Sequence, residues 1–141
     1  MTKLYLDIDG VLLTTKHTQA APEVEVFIDF VTSHFECYWL TTHCKGDSAS
    51  VLGYLSHFLP SSTIEKLKHT VLPTNWDALK TEAIDTSSDF YWLDDQPFQA
   101  ERAYLQANGV ANRLIVVNLG RADELRAVQL NLQQLINTTL L

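Results

Sequence analysis

The chain is poor in the residues that mark specialised folds. Two cysteines, four prolines and five glycines in 141 residues leave no disulfide framework and no collagen-like or Gly/Pro-rich segment. Cys37 falls in a predicted strand and Cys44 in the loop just after it, a placement that argues against their pairing. Basic residues are scarce: 10 Lys and Arg against 17 Asp and Glu give a net charge of −7. With no Lys/Arg cluster, the sequence carries no broad electrostatic footprint for nucleic acid. No apolar run reaches bilayer-spanning length, which argues against a membrane partner. The N-terminus is an Asp-bearing apolar segment and not a basic one leading into a cleavable apolar stretch, so a cytoplasmic address is expected. No repeat, linker or low-complexity segment interrupts the chain, and residues 1–141 read as a single domain with a sizeable core.

What is present is concentrated at the start. Lys3-Leu4-Tyr5-Leu6-Asp7-Ile8-Asp9-Gly10-Val11-Leu12 reads as a short apolar strand that runs into two carboxylates and a glycine. Side chains on a strand alternate, so Asp7 and Asp9 share a face if the strand stays extended. Gly10 signals a turn that lets both converge at the strand's end. Asp and Gly are also ordinary turn formers, so this stretch alone leaves a plain turn open.

The remainder alternates strands and helices. Pro22 to about His34 is a predicted amphipathic helix, with Val24, Phe27, Ile28 and Val31 at helical spacing. Cys37 to Leu40 is a second strand ending in Thr41-Thr42. Asp47 or Ser48 can cap a helix carrying Val51, Leu52, Leu55 and Phe58, ended by Pro60. Ser62 and Glu65 have capping-box spacing for a short helix. His69 to Leu72 is a short third strand. Thr74 or Asn75 can cap a helix running to about Asp85. Asp89 to Leu93 is a fourth strand ending in Asp94-Asp95. A helix follows from Pro97 to about Asn108, stopped by Gly109. Leu114 to Val117 is a fifth strand, and Asp123 to about Ile136 the last helix. Strands apolar on both faces, alternating with helices, predict a three-layer αβα fold of Rossmann-like type around a mainly parallel five-stranded sheet.

In such folds the ligand site lies outside the carboxyl ends of the strands. Three predicted strands end there in polar groups: Asp7 with Asp9, Thr41 with Thr42, and Asp94 with Asp95. Four carboxylates brought together stay ionised only around a metal, and a metal held by carboxylates commonly serves a phosphate ligand. Phosphoryl transfer also needs a donor on the phosphoryl oxygens and a cation near the developing charge. Thr41 and Lys80 are the candidates, with Thr42, Lys66 and Lys68 as substitutes. His43 is a possible substrate contact; His43 and Cys44 alone make a poor zinc site. Trp39 and Trp92 are expected in the core.

These residues together resemble the motifs of the haloacid dehalogenase-like (HAD) superfamily. Asp7 to Leu12 matches the D-x-D-G-[VT]-[LI] motif after an apolar strand. Leu40-Thr41 matches the second motif, Lys80 the third, and Trp92-Leu93-Asp94-Asp95 the acidic fourth. The motifs stand in order and span most of the chain. The resemblance implies a phosphoric monoester hydrolase in which Asp7 is the nucleophile and forms an aspartyl-phosphate. It implies that Asp9 protonates the leaving oxygen and then activates water, that Thr41 holds the phosphoryl group, and that Lys80 neutralises it. It also implies Mg2+ held by Asp7, the backbone carbonyl of Asp9, and the pair Asp94 and Asp95, with Asp95 favoured as direct ligand.

The family's usual cap insertions have no room here, either at Leu13 to Ala21 beyond a flap or at Pro73 to Asn75. A capless, open site suits a bulky or macromolecular phosphorylated substrate. The Trp-Leu-Thr-Thr and Trp-Leu-Asp-Asp strand ends also resemble HAD domains of RNA-repair proteins, which implies a nucleic-acid end as substrate; the charge of −7 does not favour it. Two other classes stay open: a metal-dependent nuclease and a non-catalytic HAD-like binding domain.

Overall fold

A computed structural model describes residues 1–139. Five strands form one all-parallel open sheet in the order β3-β2-β1-β4-β5. They are β1 (Lys3–Leu6), β2 (Glu36–Trp39), β3 (Val71–Leu72), β4 (Phe90–Asp94) and β5 (Leu114–Val116). The helices are α1 (Val24–His34), α2 (Ala49–Leu55), α3 (Ser61–Thr70), α4 (Gln99–Ala107) and α5 (Glu124–Thr139). β1 is the central strand. It pairs with β2 from Lys3↔Glu36 to Leu6↔Trp39 and with β4 from Lys3↔Phe90 to Leu6↔Leu93. The predicted three-layer Rossmann-like α/β fold is therefore present.

The layers follow from period-2 alternation in strands buried on both sides. Leu4, Leu6, Tyr91 and Leu93 point into the larger core, with Phe27, Val31, Leu125 and Leu132 of α1 and α5. Tyr5, Phe90 and Trp92 point into the smaller core, with Leu105 of α4 and Ile84. Trp39 and Trp92 are fully buried, as expected. Both cysteines are buried and free, and burial pushes the Cys37 thiol up to about 12. Among the described residues no helix is long and apolar enough to cross a membrane.

Three local expectations need correction. Thr74 to Asp85 is not an α-helix; it is a loop closed by a 3-10 turn over Lys80–Ala83. The Glu82 carboxylate accepts the backbone N–H groups of Asp77, Ala78 and Leu79, so the Leu79 N–H, which a helix capped at Thr74 or Asn75 would donate to Asn75 O, is spent on a side chain. Lys45 adds to this by donating to the carbonyls of Trp76 and Asp77 and lying over the Trp76 ring. α3 begins at Ser61 behind Pro60, with no side-chain cap, so the Ser62–Glu65 capping box does not form. α1 begins at Val24, because Glu23 adopts a left-handed conformation at φ 65°.

Between β1 and α1, residues Leu13 to Ala21 form a small hairpin, no more than the flap for which the sequence leaves room. Thr14 N–H donates to Gln19, Ala21 N–H to Leu12, and Leu13 bridges Ala20.

Candidate active site

Asp7 directly follows β1 and is 7% exposed. The strand pairing carries it onward: Asp7 N–H donates to Leu93 O of β4 at 3.1 Å. Its Oδ1 accepts the Ile8 N–H at 2.8 Å, which fixes the carboxylate. Asp94 ends β4 beside it and is fully buried. Asp94 Oδ1 accepts the Gln96 N–H at 3.0 Å, and its Oδ2 accepts from Lys80 Nζ at 2.7 Å. The same Lys80 Nζ lies 3.2 Å from Asp7 Oδ2. One ammonium therefore bridges the ends of the two neighbouring central strands.

Asp95 completes an acidic group. Ligand oxygens of Asp7, Asp94 and Asp95 lie within 4.8 Å of one another. Gly10 is what lets Asp95 in. It has φ +84°, and a Cβ built on it would fall 2.1 Å from Asp95 Oδ2. Only glycine accommodates both the left-handed backbone and the carboxylate against it.

The electrostatics reflect three clustered carboxylates with one lysine between two of them. Burial and the adjacent Asp94 charge push the Asp7 carboxyl up to about 7, against a smaller pull from Lys80. Burial and Asp94 also raise Asp95. Burial alone would lower Lys80, but Asp7 and Asp94 outweigh it and hold the ammonium above its ordinary value. An oxygen-only donor set with uncompensated negative charge is the environment that a hard divalent cation fits.

Asp9 stands apart. Its carboxylate is not in the acidic triad: Oδ2 lies 2.8 Å from His43 Nε2 and Oδ1 accepts from the Tyr54 hydroxyl at 2.9 Å. β1 ends at Leu6, and the N–H groups of Val11, Leu12 and Leu13 all donate to Ile8 O, so the chain curls after Ile8 and strand alternation no longer holds. Asp7 and Asp9 consequently face different partners. Thr41 follows β2 and is buried, whereas Thr42 is exposed. Thr41 Oγ1 accepts the His43 N–H at 3.3 Å, which ties it to the loop that reaches Asp9. Lys66 pairs with Asp29 on the helical face, away from these residues.

Two contributors escaped the sequence reading. Glu101 of α4 is 2% exposed; Oε1 accepts the Phe98 N–H and Oε2 the Lys80 N–H, both at 2.7 Å. It thereby fastens the backbone from which Lys80 reaches inward. Its signal was present, a glutamate three residues after the residue that caps α4. Tyr54 left no signal beyond its place beside the buried face of α2.

A polar cleft of about 620 Å³ opens beside the triad, lined by Gly10, Asp95, Gln96, Asn118 and Arg121 among others.

No protein-family model matches this sequence, and no curated protein matches it.

Proposed function

We propose that this chain is a Mg2+-dependent phosphomonoesterase of the HAD-like type, with Asp7 as nucleophile. The observation that carries the reading is Lys80 Nζ set between Asp7 and Asp94, with Asp95 in the same cluster, at the carboxyl ends of the central strands. A plain turn needs no half-buried lysine between two buried carboxylates.

The donor set fits Mg2+. Asp7, Asp94 and Asp95 supply carboxylate oxygens, and Asp94 already commits one oxygen to Lys80 and one to Gln96. Half-buried Asp95 therefore has more capacity to act as direct ligand, and the family resemblance adds the Asp9 carbonyl. When bound, the ion would draw charge from the phosphoryl oxygens. Lys80 fixes the Asp7 carboxylate and faces the developing charge. The Thr41 hydroxyl, whose oxygen already accepts from His43, keeps its own proton to donate to a phosphoryl oxygen.

The reaction divides in two. Asp7 attacks phosphorus, the bond to the leaving oxygen breaks, and Asp9 gives that oxygen a proton. Asp9 then takes a proton from water as the water attacks phosphorus and releases Asp7. The cleft beside Asp95 and the short hairpin over Leu13 to Ala20 leave the site open to a bulky phosphomonoester.

The test is a panel of phosphomonoesters, including 3′- and 5′-phosphorylated oligonucleotides, with Mg2+ and with excess chelator. Phosphate release that needs Mg2+ is expected. Ca2+ should support it poorly, because it accepts longer and more numerous oxygen ligands than the octahedral geometry of Mg2+. Cleavage of phosphodiesters without phosphate release would favour a nuclease built on the same triad.

A further inference from the structure

Asp7, Asp94 and Asp95 cluster, with Lys80 set between the first two, and the fourth carboxylate is held away from them. Asp9 is gripped by two side chains from distant parts of the chain: His43 in the loop after β2, and Tyr54 in α2. The Tyr54 hydroxyl donates to Oδ1, while His43 Nε2 can donate to Oδ2 when Asp9 carries no proton and accept from it when Asp9 does, so Asp9 keeps both partners through a proton-transfer cycle. The pair is braced in turn. The His43 and Tyr54 rings stack with centroids 4.1 Å apart at 17°, and Phe58 packs edge-on against Tyr54 at 5.5 Å. The His43 backbone is anchored by its N–H on Thr41 Oγ1.

This bracing answers a problem set by the sequence. Asp9 lies two residues from Asp7, and a divalent cation at the triad attracts any free carboxylate within reach. A carboxylate drawn onto the cation can no longer exchange a proton with the substrate. Two hydrogen-bond partners, one on each oxygen, counter that pull and fix the direction of the carboxyl group.

We propose that His43 and Tyr54 are positioning residues that keep Asp9 off the acidic triad and aim it at the leaving oxygen. The inference rests on the phosphomonoesterase reading above. In the first step an Asp7 oxygen bonds to phosphorus, and the bond to the leaving oxygen breaks with its electron pair going to that oxygen. The Asp9 proton is transferred to it. In the second step Asp9 receives a proton from the attacking water, and the Asp7–phosphorus bond breaks. Misdirecting Asp9 therefore harms the first step in proportion to how much the leaving oxygen needs a proton.

The experiment uses the full chain with Mg2+ and compares kcat/KM, which covers steps up to aspartyl-phosphate formation, for p-nitrophenyl phosphate and for an alkyl phosphate. Nitrophenolate leaves without a proton, whereas an alkoxide does not. Tyr54→Phe keeps the ring stack and removes only the donor, and should shift the ratio of the two kcat/KM values about tenfold or more against the alkyl phosphate. His43→Ala should shift it the same way, and His43→Gln, which keeps a side-chain N–H, should recover part of the loss. Each variant should still bind beryllium fluoride with Mg2+ as tightly as the parent, because Asp7, Lys80 and the triad are untouched. Equal losses on both substrates, or loss of beryllium fluoride binding, would mean that the pair merely supports the fold and would overturn the inference alone. A parent that releases phosphate from neither ester overturns both this inference and the reading beneath it.

Discussion

Replacing Asp7 with Asn should make the metal-free protein more stable, not less, by a margin that grows as pH rises from about 4 to about 7. The Asp7 carboxyl is pushed from 3.8 to about 7, first by burial and then by Asp94. A carboxyl raised on folding binds its proton more tightly in the native state, so the unfolded chain carries fewer protons between these two values. Stability then falls as pH rises from about 4 to about 7 and levels off above that. A shift of about three units corresponds to at most about 4 kcal/mol. Asn is nearly isosteric with the protonated carboxyl, its carbonyl can still accept the Ile8 N–H, and the attraction of Lys80 for the ionised carboxylate is already contained in the raised value. The net gain expected at pH 8 is about 1–3 kcal/mol, or a rise in Tm of about 3–9 °C for a chain of this size. At pH 4 the two proteins should melt within about a degree of each other. The assay is thermal unfolding by circular dichroism in chelator from pH 4 to 8.5. Identical pH slopes, or an Asn variant less stable at pH 8, would refute the reasoning that an uncompensated carboxylate is stored in this site.

Three other outcomes follow from the same geometry. Gly10→Ala should cost about 1–3 kcal/mol for its left-handed backbone, and should abolish the Mg2+-induced rise in Tm, since its Cβ would displace Asp95. Lys80→Met should destabilise the metal-free protein by about 2–4 kcal/mol in urea denaturation by leaving Asp7 and Asp94 unpaired, and should lower kcat about a hundredfold or more. Glu101→Gln should cost about 1–3 kcal/mol, because one amide oxygen replaces two carboxylate oxygens that accept the Lys80 and Phe98 N–H groups; the same urea titration together with a lower kcat would register it.

The parallel sheet was legible because β1, β2 and β4 are apolar on both faces and each ends in polar residues. Asp94 and Asp95 could be placed near Asp7 from strand ends alone, since neighbouring parallel strands put their carboxyl ends on one edge. The segment that presents Lys80 could not be read correctly. Trp76, Leu79 and Ala83 have helical spacing, but Glu82 and Lys45 bond its backbone from the side, and side-chain competition of that kind leaves no periodic trace. Asp9 was misleading for a related reason. Its spacing from Asp7 suggests a shared face, yet the partners that set its direction, His43 and Tyr54, lie 34 and 45 residues away. Glu101 was overlooked because a glutamate in a first helical turn is ordinary, and only the fold brings the Lys80 backbone to it.

The central claim is that Asp7 is the atom-bearing nucleophile for a phosphoryl group. Beryllium fluoride, which mimics a phosphoryl group on a carboxylate, tests it most directly when titrated calorimetrically into the Mg2+-bound parent and into Asp7→Asn. Saturable binding to the parent and none to the variant is the result predicted here. Equal binding to both would contradict the assignment of Asp7 and with it the proposed aspartyl-phosphate route.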